Sequence, residues 1–63
     1  MPIAENVHRL RVTDGLTVEE LADAARLSPS LVASIENGRR SVPQKAIRAL
    51  ASHFGVSVEA LLR

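Results

Sequence analysis

Apolar residues recur along this chain at the three- and four-residue spacing that is typical of α-helices. The first stripe predicts a helix from about residue 3 to Thr13, with Asp14-Gly15 as its exit. A later stripe predicts a fourth helix that starts at Pro43 and stops at Gly55, and Ser57 caps a short fifth helix. The stripes consist of Ile3, Val7 and Leu10 in the first helix, Ile47, Leu50, Ala51 and Phe54 in the fourth, and Val58, Leu61 and Leu62 in the fifth.

The second helix is predicted from its start signal and from the residue that prevents it from continuing. Thr17 is followed three residues later by Glu20. This is the capping-box spacing, in which each side chain accepts a hydrogen bond from the backbone N–H of the other residue. The helix carries Leu21 and the alanines that follow it. It cannot run through Pro29, because proline lacks the N–H and clashes with the preceding turn.

A third helix is predicted from Ser28 to about Glu36. Ser28 is a favourable N-cap, and Pro29 suits the first helical position. Asn37-Gly38 ends the helix, since glycine readily takes the left-handed conformation of a helix terminus. Two short helices with so few residues between them form a helix-turn-helix, over about residues 17–37. In the DNA-binding version of this motif, the second helix enters the major groove.

The sequence resembles the Xre/Cro helix-turn-helix family of phage and bacterial repressors. The resemblance rests on the segments GLTVEELA, LS, IENGRR and LASHFGVSVEALL at their spacing, and it extends from about Val7 to Leu62. It implies a compact all-α, lambda-repressor-like domain of five helices, with residues 1–63 as a single domain. It also implies a sequence-specific transcriptional repressor that binds a double-stranded DNA operator through the helix at about residues 28–36.

The resemblance further implies a homodimer, at least on DNA. The third helices of two copies would then lie in successive major grooves about one helical turn apart. The family often dimerises near helix five, which makes Val56, Val58 and the C-terminal end candidates for that contact. A monomer that pairs only on DNA is equally compatible with so short a chain.

Matched position by position, the family's DNA contacts fall on three segments of this chain. At the start of helix two, the Thr17 hydroxyl and the Val18 backbone N–H would contact a phosphate, although Val18 replaces the family's usual glutamine. After helix three, the backbone N–H groups from Asn37 to Arg39 and the side chains of Arg39 and Arg40 would form a second phosphate clamp; the alternative is a solvated loop. The positions matched to base contacts are Ser28, Pro29, Ser30, Leu31, Ala33 and Ser34.

The base-contact positions predict weak direct readout of sequence. Arginine, asparagine and glutamine make the strong bidentate contacts to guanine and adenine, and none of them occurs between Ser28 and Ile35. Serine bonds to almost any base, and small apolar side chains contact only the thymine methyl group. We therefore expect specificity to depend on methyl contacts, bridging waters and DNA shape.

Three further positions are singled out by the comparison with the family. Leu31 stands where the family has a small polar residue, so it either contributes to the core or contacts thymine methyls or a protein partner. Arg26 stands where the family commonly has glycine, in a turn that often needs a positive φ. The resemblance also suggests that Arg11 pairs with Glu36, which would tie helix one to helix three as a structural ion pair.

Composition argues against several other classes of function. Cysteine is absent, and His8 and His53 have no partner at metal-ligand spacing, so surface histidines and no metal site are expected. No nucleophile–base pair, glycine-rich phosphate loop or carboxylate pair stands out, so neither an enzyme nor a cofactor or small-molecule substrate is expected. No apolar run approaches the ~20 residues of a membrane span, and no signal peptide is visible. A soluble, cytoplasmic protein is expected.

Charge is distributed unevenly along the chain. Residues 1–36 carry a net charge of −3 and residues 37–63 a net charge of +4. Such asymmetry can mark a side that faces phosphates, or it can be ordinary helix-surface charge.

A second hypothesis comes from a different class: a helix-turn-helix fold kept for protein contact or as a stable scaffold, with weak or lost DNA binding. The small, apolar face that includes Val18, Pro29, Leu31 and Ala33 motivates it.

Overall fold

A computed structural model describes residues 2–63, and the described chain is all-helical. The five helices are α1 (Pro2–Thr13), α2 (Val18–Ala25), α3 (Pro29–Glu36), α4 (Gln44–Phe54) and α5 (Val58–Leu62). This confirms the fold class predicted from the sequence. None of these helices is both long enough and apolar enough to cross a membrane.

Local capping signals set the boundaries of α2 and α3. Both halves of the predicted capping box are present, with the Thr17 N–H donating to the Glu20 carboxylate at 2.8 Å and the Glu20 N–H donating to the Thr17 hydroxyl at 3.0 Å. Ser28 caps α3 by accepting a hydrogen bond from the Leu31 N–H, and Pro29 follows as the first helical residue. Short-range interactions therefore fix the residue at which each of the two helices begins.

The core lies where α1, α2 and α3 meet α4 and α5. α3 packs against both α1 and α2, while α5 packs against α1 and α4. The largest fully buried side chains are Ile3, Leu21, Ile35, Leu50, Leu61, Val7 and Val32. Every one of them is aliphatic, so the core is held by non-directional apolar burial.

A side-chain hydrogen bond ties the last helix to the first. Asn6 on α1 donates to the carbonyl oxygen of Leu61 at 2.8 Å. Carbonyl groups in the last turn of a helix have no partner within the helix, so Asn6 satisfies one of them in α5. This contact fixes the position of a helix of only five residues.

Two predictions need correction, one of a helix boundary and one of a side-chain orientation. Pro43 was predicted as the first residue of the fourth helix, but its ψ of 139° is extended, so it is the N-cap and α4 begins at Gln44. Leu62 was predicted to face inward with Leu61, yet it is 43% exposed while Leu61 is 1% exposed. Adjacent helical residues point about 100° apart, and α5 turns only one of these two leucines toward the core.

Candidate nucleic-acid interface

α3 has two sides with different surroundings. Val32 and Ile35 point into the core and are 0% and 1% exposed. The residues on the opposite side are three or four positions apart, so they share one face of the helix. The other helices do not cover this face. It consists of Pro29, Ser30, Ala33, Ser34 and Asn37, which we call the outer face of α3.

The outer face of α3 is made of small side chains. Pro29, Ser30 and Asn37 are exposed, and Ala33 and Ser34 are partly exposed. Short side chains keep the helix backbone near whatever lies against this face. The structure thus brings most of the predicted base-contact positions onto one accessible surface, with Ser28 exposed at its start.

Leu31 lies at the border between the outer face and the core. It is partly buried and packs against the core cluster. Of the interpretations left open by the sequence, the structure supports the contribution to the core. Val18 likewise packs partly against the core, so little of its side chain is available to a ligand.

The start of α2 offers hydroxyl and amide donors beside a negative charge. The Thr17 hydroxyl accepts a hydrogen bond from Glu20, which leaves its own O–H free to donate. The backbone N–H of Val18 has no hydrogen-bond partner within residues 2–63. The Glu20 carboxylate is held at the same place by the Thr17 N–H, so an approaching phosphate meets one carboxylate there.

The loop after α3 differs from the predicted phosphate clamp in one respect. Gly38 has a φ of +86°, as predicted for the end of the helix. However, the N–H groups of Asn37, Gly38 and Arg39 donate to carbonyls of α3, at 3.0, 3.0 and 3.1 Å. These three amides close the end of the helix and are not available to a phosphate. Any clamp must therefore use side chains, and Asn37, Arg39 and Arg40 are all exposed.

An ion pair connects α1 to the end of α3. The Arg11 guanidinium donates to both Glu36 oxygens, from Nε at 2.7 Å and from a terminal nitrogen at 3.0 Å. A second terminal nitrogen of Arg11 donates to the carbonyl of Leu16 at 2.7 Å. The Arg11 and Glu36 side chains are 15% and 8% exposed. The pair suggested by the family resemblance is thus present, bidentate and largely shielded from water.

His8 joins this pair from the surface position that the sequence predicted for it. Its Nδ1 lies 2.8 Å from the nearer oxygen of Glu36, while its side chain remains 59% exposed. The contact between His8 and Glu36 was not predicted, but the sequence contains a signal for it. His8 and Arg11 are three residues apart on one helix and therefore share a face.

Competing effects set the charge state of Glu36. Burial alone would raise the pKa of Glu36, but hydrogen bonds and charges from Arg11 and His8 outweigh burial and lower it. The hydrogen bond to Glu36 in turn raises the pKa of Arg11, against its partial desolvation. Both groups are therefore charged at neutral pH, and the cluster holds α1 and α3 together as an intact ion pair.

The turn between α2 and α3 contains an unusual backbone conformation. Arg26 ends α2 with φ 59° and ψ 44°, in the left-handed region. A positive φ here is what the family resemblance implies, and a residue other than glycine adopts it at a cost of about 1 kcal/mol. The N–H groups of Arg26 and Leu27 donate back to α2 carbonyls at 3.2 and 2.8 Å, which holds the turn in place.

No group of three or more histidine, cysteine, aspartate or glutamate side chains that could hold a metal ion occurs within residues 2–63.

Comparison with known proteins agrees with this architecture. The helix-turn-helix domain family matches residues 3–63. Over 62 residues, or 98% of the chain, the sequence is 32% identical to a Deinococcus deserti protein named HTH-type transcriptional regulator DdrOP3. The aligned region makes up 48% of that protein, so the chain spans about half the length of this relative.

Proposed function

The chain belongs to the helix-turn-helix domain family, and we propose that it binds double-stranded DNA in a sequence-specific manner as a transcriptional regulator. The narrower assignment to Xre/Cro-type repressors is part of the proposal and rests on the quoted motifs. The cytoplasm is the proposed site of action. The relative in Deinococcus deserti is named a transcriptional regulator, which supports the same class of function.

The observation that carries the proposal is the uncovered outer face of α3. A recognition helix must present one side to base edges, and on α3 that side carries only short side chains, which let the helix backbone come close to the bases. Ser30 and Ser34 supply hydroxyl groups to the bases, and Pro29 and Ala33 supply apolar contact to thymine methyls. Ser28 begins this surface, and Leu31 borders it.

Phosphate contacts flank this face at both ends. Near the start of α2, the Thr17 hydroxyl and the Val18 N–H donate to one phosphate. Beyond α3, the side chains of Asn37, Arg39 and Arg40 contact another. Such contacts fix register and supply affinity but carry no sequence information. The weak set of base contacts on α3 makes the protein dependent on these flanking contacts.

A homodimer on DNA completes the proposal, since the palindromic sites of this motif class pair two copies. Val56 and Val58 lie at the end of the chain where the family often dimerises. Both pack partly against the core, while Leu62 adds exposed apolar surface to α5.

The protein-contact alternative loses part of its support in the structure. It was motivated by apolar residues on the helix-turn-helix, but Val18 and Leu31 pack against the protein's own core. The outer face that remains is small and consists largely of serine and alanine, which are depleted in protein interfaces, so it suits base edges better than a stable protein partner.

Binding to a random-sequence duplex at several salt concentrations tests the proposal. We expect Arg39→Ala/Arg40→Ala to weaken binding and to reduce the slope of log affinity against log salt by roughly two, about one per phosphate contact. The matched control is Arg9→Gln/Arg48→Gln, which removes the same charge from exposed positions outside the helix-turn-helix and away from the C-terminal end. Equal behaviour of the two double variants would contradict the assigned DNA surface.

A further inference from the structure

Four residues of the described chain have a positive φ, and one of them follows each of the helices α1 to α4. They are not all of the same residue type. Three of them are glycines, Gly15, Gly38 and Gly55, with φ between +69° and +86°. The fourth is Arg26, the only residue other than glycine with a positive φ in the described chain. Glycine takes this conformation without steric cost, so an arginine here opposes the backbone preference that the other three positions follow.

The Arg26 side chain gains nothing within the described protein to offset this cost. It is exposed, and within residues 2–63 its guanidinium makes no hydrogen bond and no ion pair. Asp23 lies one turn earlier on α2, yet no salt bridge joins the two. A strained residue without an intramolecular role points to a role toward a ligand.

The charge of Arg26 and its place in the chain indicate the kind of ligand that its side chain contacts. Arg26 is the only basic residue from Val12 to Gly38, so it is the only cation of the helix-turn-helix itself. It stands two residues before Ser28, so the two Cα atoms are at most about 7.6 Å apart. With α3 in the major groove, the first helix of the motif crosses the DNA backbone, and Arg26 is the residue that ends this helix, α2.

We propose that Arg26 is a phosphate-contacting residue that gives the recognition helix part of its affinity, at the expense of a strained turn. This rests on the proposed function. The contact would be electrostatic and independent of base sequence. Two hydrogen bonds hold the turn against α2 and so fix the backbone position from which the Arg26 side chain extends.

The test compares three substitutions at Arg26 in the full chain. Arg26→Gly removes both the charge and the strain. Arg26→Asn removes the charge but keeps a residue that tolerates the left-handed region. Arg26→Lys keeps the charge. The control Arg9→Gln removes one charge on α1. Each protein is titrated with the same random-sequence duplex between about 0.05 and 0.2 M salt, and its melting temperature is measured without DNA.

We expect Arg26→Gly and Arg26→Asn to bind about five- to tenfold more weakly near 0.1 M salt, with a salt slope lower by roughly one. Arg26→Lys and Arg9→Gln should stay near the original slope. The melting temperature of Arg26→Gly should be unchanged or raised, by up to roughly 4–8 °C. Weaker binding by a protein that is at least as stable excludes unfolding as the cause.

Two results would overturn the inference in distinguishable ways. If the original protein binds the duplex but both neutral variants match Arg9→Gln in affinity and slope, Arg26 contacts no phosphate and the proposed function stands. If the original protein shows no salt-dependent binding, the proposed function fails and the inference fails with it.

Discussion

The inner and outer sides of α3 show how eight residues divide between folding and binding. On the inner side, Val32 and Ile35 are fully buried, and Glu36 holds Arg11 and His8. On the outer side, Ser30 and Ser34 have no hydrogen-bond partner for their hydroxyls within residues 2–63. The side chains of the inner side all contact other parts of the protein, while the hydroxyl groups of the outer side are available to a ligand. Substitutions on the two sides should therefore change different properties.

The largest expected contrast compares Ile35→Ala with Ser34→Ala. Ile35→Ala opens a cavity in the core and should lower the free energy of unfolding by about 2–5 kcal/mol. Ser34→Ala removes an unpaired hydroxyl and should change stability by less than about 0.5 kcal/mol. Urea denaturation of both variants measures the difference. Similar losses at the two positions would mean that the outer face also supports the fold.

The next effect concerns the ion pair between α1 and α3. Arg11→Ala leaves the shielded Glu36 carboxylate without its main partner and should cost roughly 3 kcal/mol of stability. This approaches the whole stability of so small a domain, on the order of 3–5 kcal/mol. Circular dichroism and urea denaturation measure it.

A double variant provides the control for that prediction. Arg11→Met/Glu36→Leu removes both charges and keeps apolar volume, so it should be more stable than Arg11→Ala. If both variants lose the same stability, the cost comes from lost side-chain packing and not from a stranded charge.

Leu31→Ala should have an intermediate effect, because Leu31 is only partly buried against the core. We expect a loss of roughly 1–2 kcal/mol, about half that of a fully buried leucine. DNA affinity of the folded fraction should stay near the original value, measured well below the melting temperature. A large loss of affinity with unchanged stability would instead place Leu31 in the DNA contact.

The dependence of stability on pH probes the inner side further. The pKa of Glu36 is lower in the folded protein than in the unfolded chain, because hydrogen bonds and charges from Arg11 and His8 outweigh the effect of burial. The unfolded state therefore binds more protons in acid, so this stabilisation is fully present above the unfolded pKa of Glu36 and is lost as pH falls through the folded pKa. The melting temperature of Glu36→Gln should lie below that of the original protein near neutral pH, and the difference should shrink in acid. A constant difference would exclude Glu36 as the source.

The smallest expected effect is on base preference. Ser34→Ala should alter which bases are preferred near its position while leaving nonspecific affinity almost unchanged. Competition between selected and random duplexes measures this. A uniform loss on all sequences would contradict the role of Ser34 as a base-contacting residue.

The parts of the fold that follow from adjacent residues could be predicted from the sequence. The capping box at Thr17 and Glu20, and the Ser28-Pro29 start of α3, depend only on residues within one turn. The orientation of Leu62 depends on how a five-residue helix docks against α1, which the local pattern does not determine. The same holds for His8, whose partner Glu36 lies 28 residues away.

The candidate site follows the same division. The positions on the outer face of α3 could be identified because helical spacing places them together. The sequence could not predict whether the backbone N–H groups of the loop are free to bind a phosphate, because that depends on how the chain closes the end of α3. The hydrogen bond from Arg39 to the carbonyl of Ser34 removes one of the donors that the sequence suggested.

The central claim is that the outer face of α3 reads DNA, and selection from a random duplex pool at about 0.1 M salt tests it most directly. We predict an enriched palindrome with half-sites about 10 base pairs apart, as expected for two copies of the motif in successive major grooves. Recovery of no preferred sequence, with only weak binding that falls steeply as salt increases, would contradict sequence-specific recognition.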